Sequence, residues 1–258
     1  TEEAASLIEQ LNDELSTGGL RFYKGISYRH LLVFSDTDFE VSTYPPHDHI
    51  GIEIDKILPR GKGSDVLIDL MARSNQLFAD HEINVIRRDL GENQVSSIWL
   101  WGEGKKVIMD SFEKRFGLKG AAITAVDLVR GLAKLIGFEL IEVEGATGFA
   151  DTNYAGKGQA AAEALQDKDI VFVHVEAPDE ASHNGNAPLK VKTIEDVDKH
   201  VVGPIYEALQ LYDDWRIMVL PDHPTPVSSQ AHSGEAVPFA MAGTGINGIL
   251  KEPFSEAN

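Results

Sequence analysis

Five side chains in the last third of the chain are of the types that hold divalent metal ions: Asp179, His183, Asp222, His223 and His232. The apolar run Ile170-Val171-Phe172-Val173-His174-Val175 leads straight into Glu176-Ala177-Pro178-Asp179-Glu180-Ala181-Ser182-His183. Ligand-type residues therefore gather where a buried strand should end, which is where open α/β sheets build their sites. A helical turn after Pro178 would set Asp179 and His183, at i and i+4, on one face able to clamp an ion. A second run, Arg216 to Leu220, enters Pro221-Asp222-His223-Pro224-Thr225-Pro226 in the same way. Neighbouring side chains of an extended segment diverge, so Asp222 and His223 suit two ions, or one ion and its neighbour. His232 follows in Ala231-His232-Ser233-Gly234-Glu235. Taken singly, each also reads as a capping aspartate or a solvated histidine. Together they point to metal, and carboxylate and imidazole donors favour Mn, Zn or Mg over copper or iron–sulfur.

Composition sets the frame for that chemistry. The 258 residues are 43% hydrophobic and 25% charged, enough to bury one large core or two smaller ones. Forty-one acidic against 23 basic residues give a formal charge of -18, so the field of the whole molecule repels nucleic acid and anionic membrane surfaces. An anionic substrate can bind such a chain only where local cations or metals reverse the field. The absence of cysteine removes disulfides, thiolate metal sites and cysteine nucleophiles. No apolar run is long enough for a transmembrane helix and no signal peptide opens the chain, so a cytoplasmic protein is expected by default.

The elements that must position the five residues follow from apolar periodicity. Thr1, with Glu2 and Glu3 behind it, suits the start of a helix running through Leu7, Ile8 and Leu11. Gly18-Gly19 breaks it, and strands are expected over Leu20 to Tyr23 and His30 to Phe34, making a small α+β unit. Asp36 to Lys62 reads as loop, and helical spacing resumes from Val66 to Leu77. From about Ile98 the pattern alternates. Strands are expected over 121–124, 140–143, 170–175, 217–220 and 238–242, and helices over 126–136, 153–165 and 194–209. Near-continuous apolar strands between helices predict an α/β domain with a mainly parallel sheet covered on both faces. The expected organisation is residues 1–97 as an α+β unit and 98–258 as the α/β domain.

At this point the sequence resembles the archaeal type of cofactor-independent phosphoglycerate mutases, members of the alkaline phosphatase superfamily. The likeness rests on Val173 to His183, on Leu220 to Val227, and on His232 with Val237-Pro238-Phe239. It extends to Trp99-Leu100-Trp101-Gly102-Glu103-Gly104, Gly117-Leu118-Lys119-Gly120-Ala121, Gly145-Ala146-Thr147-Gly148 and Asp151-Thr152-Asn153-Tyr154. The resemblance implies an alkaline phosphatase-like core with residues 1–97 as an inserted cap. It implies Asp179, His183 and His232 on one ion, and Asp222 and His223 on a second. It also implies interconversion of 3- and 2-phosphoglycerate through a phosphoserine. The early Asp and the nucleophilic Ser or Thr of that family lie upstream of the region matching Thr1, so this chain is expected to be the later two-thirds, inactive alone. A clip after Asn258 is also left open. A phosphomonoester or phosphonate hydrolase, a homoserine kinase-like phosphotransferase and an inactive metal-binding fragment are the alternatives.

Phosphate and carboxylate both need cations, and Arg87, Arg88, Lys105, Lys106, Lys119 and Lys157 are the candidates. Lys119 is the expected catalytic cation because it precedes the strand at 121–124, and Arg87 and Arg88 are the expected substrate-binding pair. Ser182 and Ser233 lie near ligands without opening a helix as a nucleophile would. His47-Asp48-His49 reads as a structural loop tract, and Trp99 and Trp101 as packing at a domain junction. Gly61-Lys62-Gly63-Ser64 lacks the full phosphate-loop spacing, so no nucleotide is expected. The expected partner is a small phosphorylated hydroxy acid, with oligomerisation possible.

Overall fold

The computed structural model describes the chain except residues 1, 26–28, 36–37, 47–48, 50, 249–253 and 256–258. The Thr1 cap and the His47-Asp48 pair therefore fall outside the described residues. Two compact units divide the chain, Thr1–Lys106 and Val107–Asn258. The division falls somewhat later than the composition change near Ile98.

In the first unit, helix α1 (Glu2–Leu15) buries Leu7, Ile8, Leu11 and Leu15, the stripe that a period of 3.6 predicts. That stripe packs on β1 (Leu20–Tyr23), which pairs antiparallel with β2 (Leu31–Phe34). Asn12 fixes the junction: its side chain accepts from the Phe22 amide at 2.8 Å and donates to the Phe22 carbonyl at 2.6 Å. The expected loop is broken by β3 (Glu40–Ser42) and β4 (Arg60–Lys62), an antiparallel pair with a 3₁₀ turn at Ile54–Lys56 between them. Gly61 takes φ +99° inside β4, where an added Cβ would sit 2.2 Å from the Glu40 carbonyl oxygen. Helices α2 (Ser64–Ala79) and α3 (Glu82–Asp89) complete the unit, with Leu70, Phe78 and Ile83 joining the α1 core. Buried Asn84 stitches α3 to the following segment through Phe78 and both backbone groups of Val95.

The second unit opens with the short helix α4 (Phe112–Phe116), capped by Ser111 and ended by Gly117 in the left-handed region. Strands β5 (Gly120–Ile123), β6 (Glu139–Leu140) and β7 (Ile170–Val173) form a parallel sheet in the order β6-β5-β7. Every residue of central β5 is buried, and the helices α5 (Asp127–Leu135) and α6 (Tyr154–Ala164) make the crossovers. Helix α7 (Ala177–His183) follows β7 with Pro178 in its first turn, as expected. The single helix expected over 194–209 is α8 (Ala187–Val197), a π-helical turn (Asp198–Val202) and α9 (Gly203–Leu209) in succession. Pro204 explains the widened turn, because it donates no amide and its ring crowds the carbonyl four residues back. That carbonyl, of His200, lies so close to α6 that a Cβ on Gly158 would come within 2.2 Å of it.

Strands β8 (Arg216–Val219) and β9 (Ala240–Gly243) pair antiparallel and form a separate two-stranded sheet. The parallel sheet therefore holds three of the five strands expected in this region, and the last two turn back on each other. No described helix is long and apolar enough to cross a membrane.

Candidate metal centre

Residues that follow β7 and β8 converge within the second unit. Asp179 and His183 share one face of α7, with His183 Nε2 3.2 Å from Asp179 Oδ2. His232 reaches the same point from the loop after β8: its Nε2 lies 3.0 Å from His183 Nε2 and 3.6 Å from Asp179 Oδ1. His223 lies against His232 with ring centroids 3.8 Å apart and the rings tilted by 39°. Asp179, His223 and His232 each place a ligand atom within 4.8 Å of the others. Nitrogen and oxygen donors separated by about 3 to 4 Å are what a tetrahedral ion with bonds of roughly 2 Å requires.

The outer contacts select the tautomers that ligation needs. His183 Nδ1 lies 2.9 Å from the Gln230 carbonyl, so the ring donates there and leaves Nε2 as a lone pair facing the cluster. Gln230 is the one described non-glycine residue with positive φ, at 54°, so strained backbone presents that carbonyl. Thr225, only 4% exposed, donates its hydroxyl to Asp179 Oδ1 and stands 3.1 Å from His223 Nδ1. With its own proton committed, that hydroxyl accepts from His223 Nδ1–H, which again frees Nε2. Thr225→Val keeps the volume and removes both contacts. Metal affinity should fall roughly 10- to 100-fold, the usual cost of an outer-shell partner, as read by competition with a chromogenic chelator.

Asp222 does not join the cluster. Its side chain is 84% exposed and touches the group only through His223, at 4.0 Å. The two side chains diverge as an extended segment dictates, His223 turning toward Asp179 and His232.

The expected cations have the following surroundings, each within its own unit. Lys119 stands before β5, where its backbone amide meets Asp169 ahead of β7 at 2.7 Å. It therefore sits at the amino-terminal edge of the sheet. The cluster is past the carboxyl-terminal edge, more than about 10 Å further along strands rising roughly 3.3 Å per residue. Arg87 is paired with Glu3 and Glu92 and donates to the Asn93 carbonyl, while Arg88 meets Gln94 and the Ala79 carbonyl. Both guanidinium groups make these contacts within the first unit. In that unit Trp99 donates to the Tyr44 carbonyl at 2.9 Å, and His49 lies 2.9 Å from the Pro45 carbonyl.

Lys157, another of the candidate cations, lies within the second unit. It rises from α6, is 1% exposed, and aims its ammonium at the carbonyls of Thr147 and His174, each at 3.4 Å. Both carbonyls belong to the carboxyl-terminal side of the sheet. Burial holds the lysine below its ordinary pKa, and the nearby Glu176 offsets this only in part. Beside it, burial and then Lys157 depress His174, while burial and the Asp179 and Glu180 charges raise Glu176. His174 bridges these groups, 3.3 Å from Thr124 Oγ1 on one side and 3.3 Å from Glu176 on the other. His174 and Glu176 were present in the strand-end motif. Nothing in their spacing marked them as a half-buried titratable pair.

Neither candidate serine is placed as a nucleophile. Ser182 is fully buried and donates to the Pro178 carbonyl within its helix, and Ser233 bonds Glu235.

A parallel sheet whose strand ends gather carboxylate and imidazole donors defines an α/β fold with a candidate metal centre. Residues 26–257 match the family described as the Metalloenzyme superfamily, and the chain belongs to it. Among curated relatives, the 2,3-bisphosphoglycerate-independent phosphoglycerate mutase of Methanosarcina mazei is 48% identical over 243 residues, covering 93% of this chain and 61% of that protein. The mutase 2 of the same description from Methanothermobacter thermautotrophicus is 44% identical over 258 residues, covering 99% of this chain and 64% of that protein. Among solved structures, the PH0037 protein of Pyrococcus horikoshii superposes with a TM-score of 0.75 at 28% identity, over 95% of this chain and 60% of that one. This chain thus spans about three-fifths of the length of the relatives it matches.

Proposed function

We propose that the whole protein is a metal-dependent phosphoglycerate mutase that interconverts 3- and 2-phosphoglycerate, and that these residues hold its metal centre. The observation that carries this reading is the cluster of Asp179, His223 and His232, with His183 against Asp179 and His232, and outer contacts set for ligation. The high identity to proteins named as such mutases supports the substrate class. Mn, Zn or Mg fits the donor set, and no nucleotide is required. When bound, such an ion would stabilise charge on a transferring phosphoryl group and lower the pKa of an attacking hydroxyl.

The chain's own residues have separate tasks. Asp179 contributes the negative charge that offsets the cation, and Thr225 and Gln230 orient the imidazoles. Lys157 supplies fixed positive charge in an otherwise acidic protein, where a phosphorylated acid needs it most. Asp222 is free to serve a second ion completed by residues outside this chain.

Lys157→Met separates stability from function. A buried lysine with a depressed pKa takes up its proton more readily in the unfolded chain, so folding stability rises with pH between the depressed and the ordinary lysine value. At neutral pH the substitution should raise the melting temperature of the metal-free chain, and the gain should shrink as pH climbs through that window. In the active protein, kcat should drop on the order of 10²- to 10³-fold, the usual cost of losing one preorganised charge partner.

The assignment itself is tested by incubating the longer protein with 3-phosphoglycerate and Mn and following both products. Formation of 2-phosphoglycerate supports the mutase. Free phosphate without the isomer makes it a hydrolase.

A further inference from the structure

Where β5 and β6 end, a cavity of about 290 Å³ opens that shares no residue with the metal cluster. Its apolar wall is Ile123, Ile141 and Val143, and its charged groups are Asp127, Arg130 and Glu142. Crevices at the carboxyl ends of parallel strands are where such sheets take up small molecules. Arg130, one turn into α5, donates Nη1 to the Thr124 carbonyl at 3.3 Å and to Glu142 Oε2 at 3.1 Å, while its Nη2 bonds Glu142 Oε1. The guanidinium thus holds a carboxylate with both prongs of its fork. That carboxylate is easily displaced, because the Glu142 side chain is 72% exposed against 27% for Arg130. Asp127, exposed in the first turn of α5, lies near enough for its charge to act on the same guanidinium. The Thr124 hydroxyl is already engaged: it accepts from the Val126 amide at 3.1 Å and stands 3.3 Å from His174 Nδ1. Recognition of a ligand therefore falls to Arg130 and Asp127.

We propose that this cavity binds a small α-amino acid. Its carboxylate takes the place of Glu142 on Arg130, its ammonium pairs with Asp127, and a short apolar side chain lies against Ile123, Ile141 and Val143. Charge selects the zwitterion. Two carboxylates act on one guanidinium, so a plain anion would meet excess negative charge, and a plain cation would leave Arg130 with Glu142. A molecule that carries both charges on neighbouring atoms matches Arg130 and Asp127 together and releases Glu142 into solvent. That release costs little, since an exposed ion pair is worth at most about 1 kcal/mol. The cavity volume, just under the roughly 300 Å³ at which pockets for larger ligands begin, suits a molecule of this size. The site is independent of the phosphoryl-transfer reading, because it uses neither the metal ligands nor Lys157.

The test is isothermal titration of L-valine into the longer protein, with EDTA present so that the amino acid cannot bind through a metal ion. The expected result is one molecule per chain with a Kd of about 1 mM or lower. Isovalerate and isobutylamine, which each keep one of the two charges, should bind more weakly by on the order of 10- to 100-fold. Arg130→Met and Asp127→Asn should each weaken L-valine by a similar factor. Glu142→Ala changes an exposed side chain and should tighten L-valine by up to about fivefold, because the competitor for Arg130 is gone. The proposal is overturned if L-valine does not bind, if isovalerate binds as tightly, or if Glu142→Ala weakens the complex. It is equally overturned if Arg130→Met keeps both its circular dichroism and its affinity for L-valine.

Discussion

Replacing Asp179 by alanine is expected to lower metal affinity by more than the 10- to 100-fold typical of an outer-shell change, while Asp222→Ala leaves it near the parental value. Among the described residues Asp179 is the carboxylate that meets both His183, at 3.2 Å, and His232, at 3.6 Å. Without it three imidazoles remain to hold a divalent cation, and the buried Thr225 hydroxyl loses its acceptor. Isothermal titration with Mn or Zn reads the affinity directly. A thermal shift gives an independent measure, because a ligand at 100 times its Kd stabilises by about 2.7 kcal/mol and Asp179→Ala should abolish that gain. Equal losses from both substitutions would mean that Asp222 belongs to the same ion.

The second large effect lies far from chemistry. Phe78→Ala should destabilise the first unit by about 3 to 5 kcal/mol, because Phe78 is fully buried in a core cluster with Leu7, Ile8, Leu11 and Ile83. The second unit has cores of its own around Ala122 and around Tyr154. Its metal affinity should therefore be unchanged where the first unit is already unfolded. Urea unfolding followed by near-ultraviolet circular dichroism, with metal titration at intermediate urea, checks both halves of the expectation.

Much of this architecture was legible because apolar periodicity is strong where burial is strong. The α1 stripe, the helices around β5, and β7 and β8 all follow from runs that have no polar interpretation. The signal failed where backbone geometry replaced side-chain pattern. Strand β4 reads Arg-Gly-Lys, is exposed throughout, and exists because Gly61 lets the chain approach β3. The π-helical turn before Pro204 is invisible to a helical period that continues through it.

The site divides along the same line. Spacing at i and i+4 after Pro178 was enough to place Asp179 beside His183. The alliance of His223 with His232 depends on a loop closed by Gln230 at positive φ, which no motif states. Thr225 stood inside a quoted motif, but its bridging role arises only when α7 and the β8 loop meet. Lys119 and Lys157 differ in which end of the sheet they reach. A sequence places a lysine beside a strand without saying whether the ligands gather at that end.

The most direct measurement is anomalous diffraction from Mn-soaked crystals of this chain. A peak held by Asp179, His183, His223 and His232, with Asp222 outside the first shell, is the expected result. A peak centred on Asp222, or none at saturating Mn, would contradict the metal centre described for this protein.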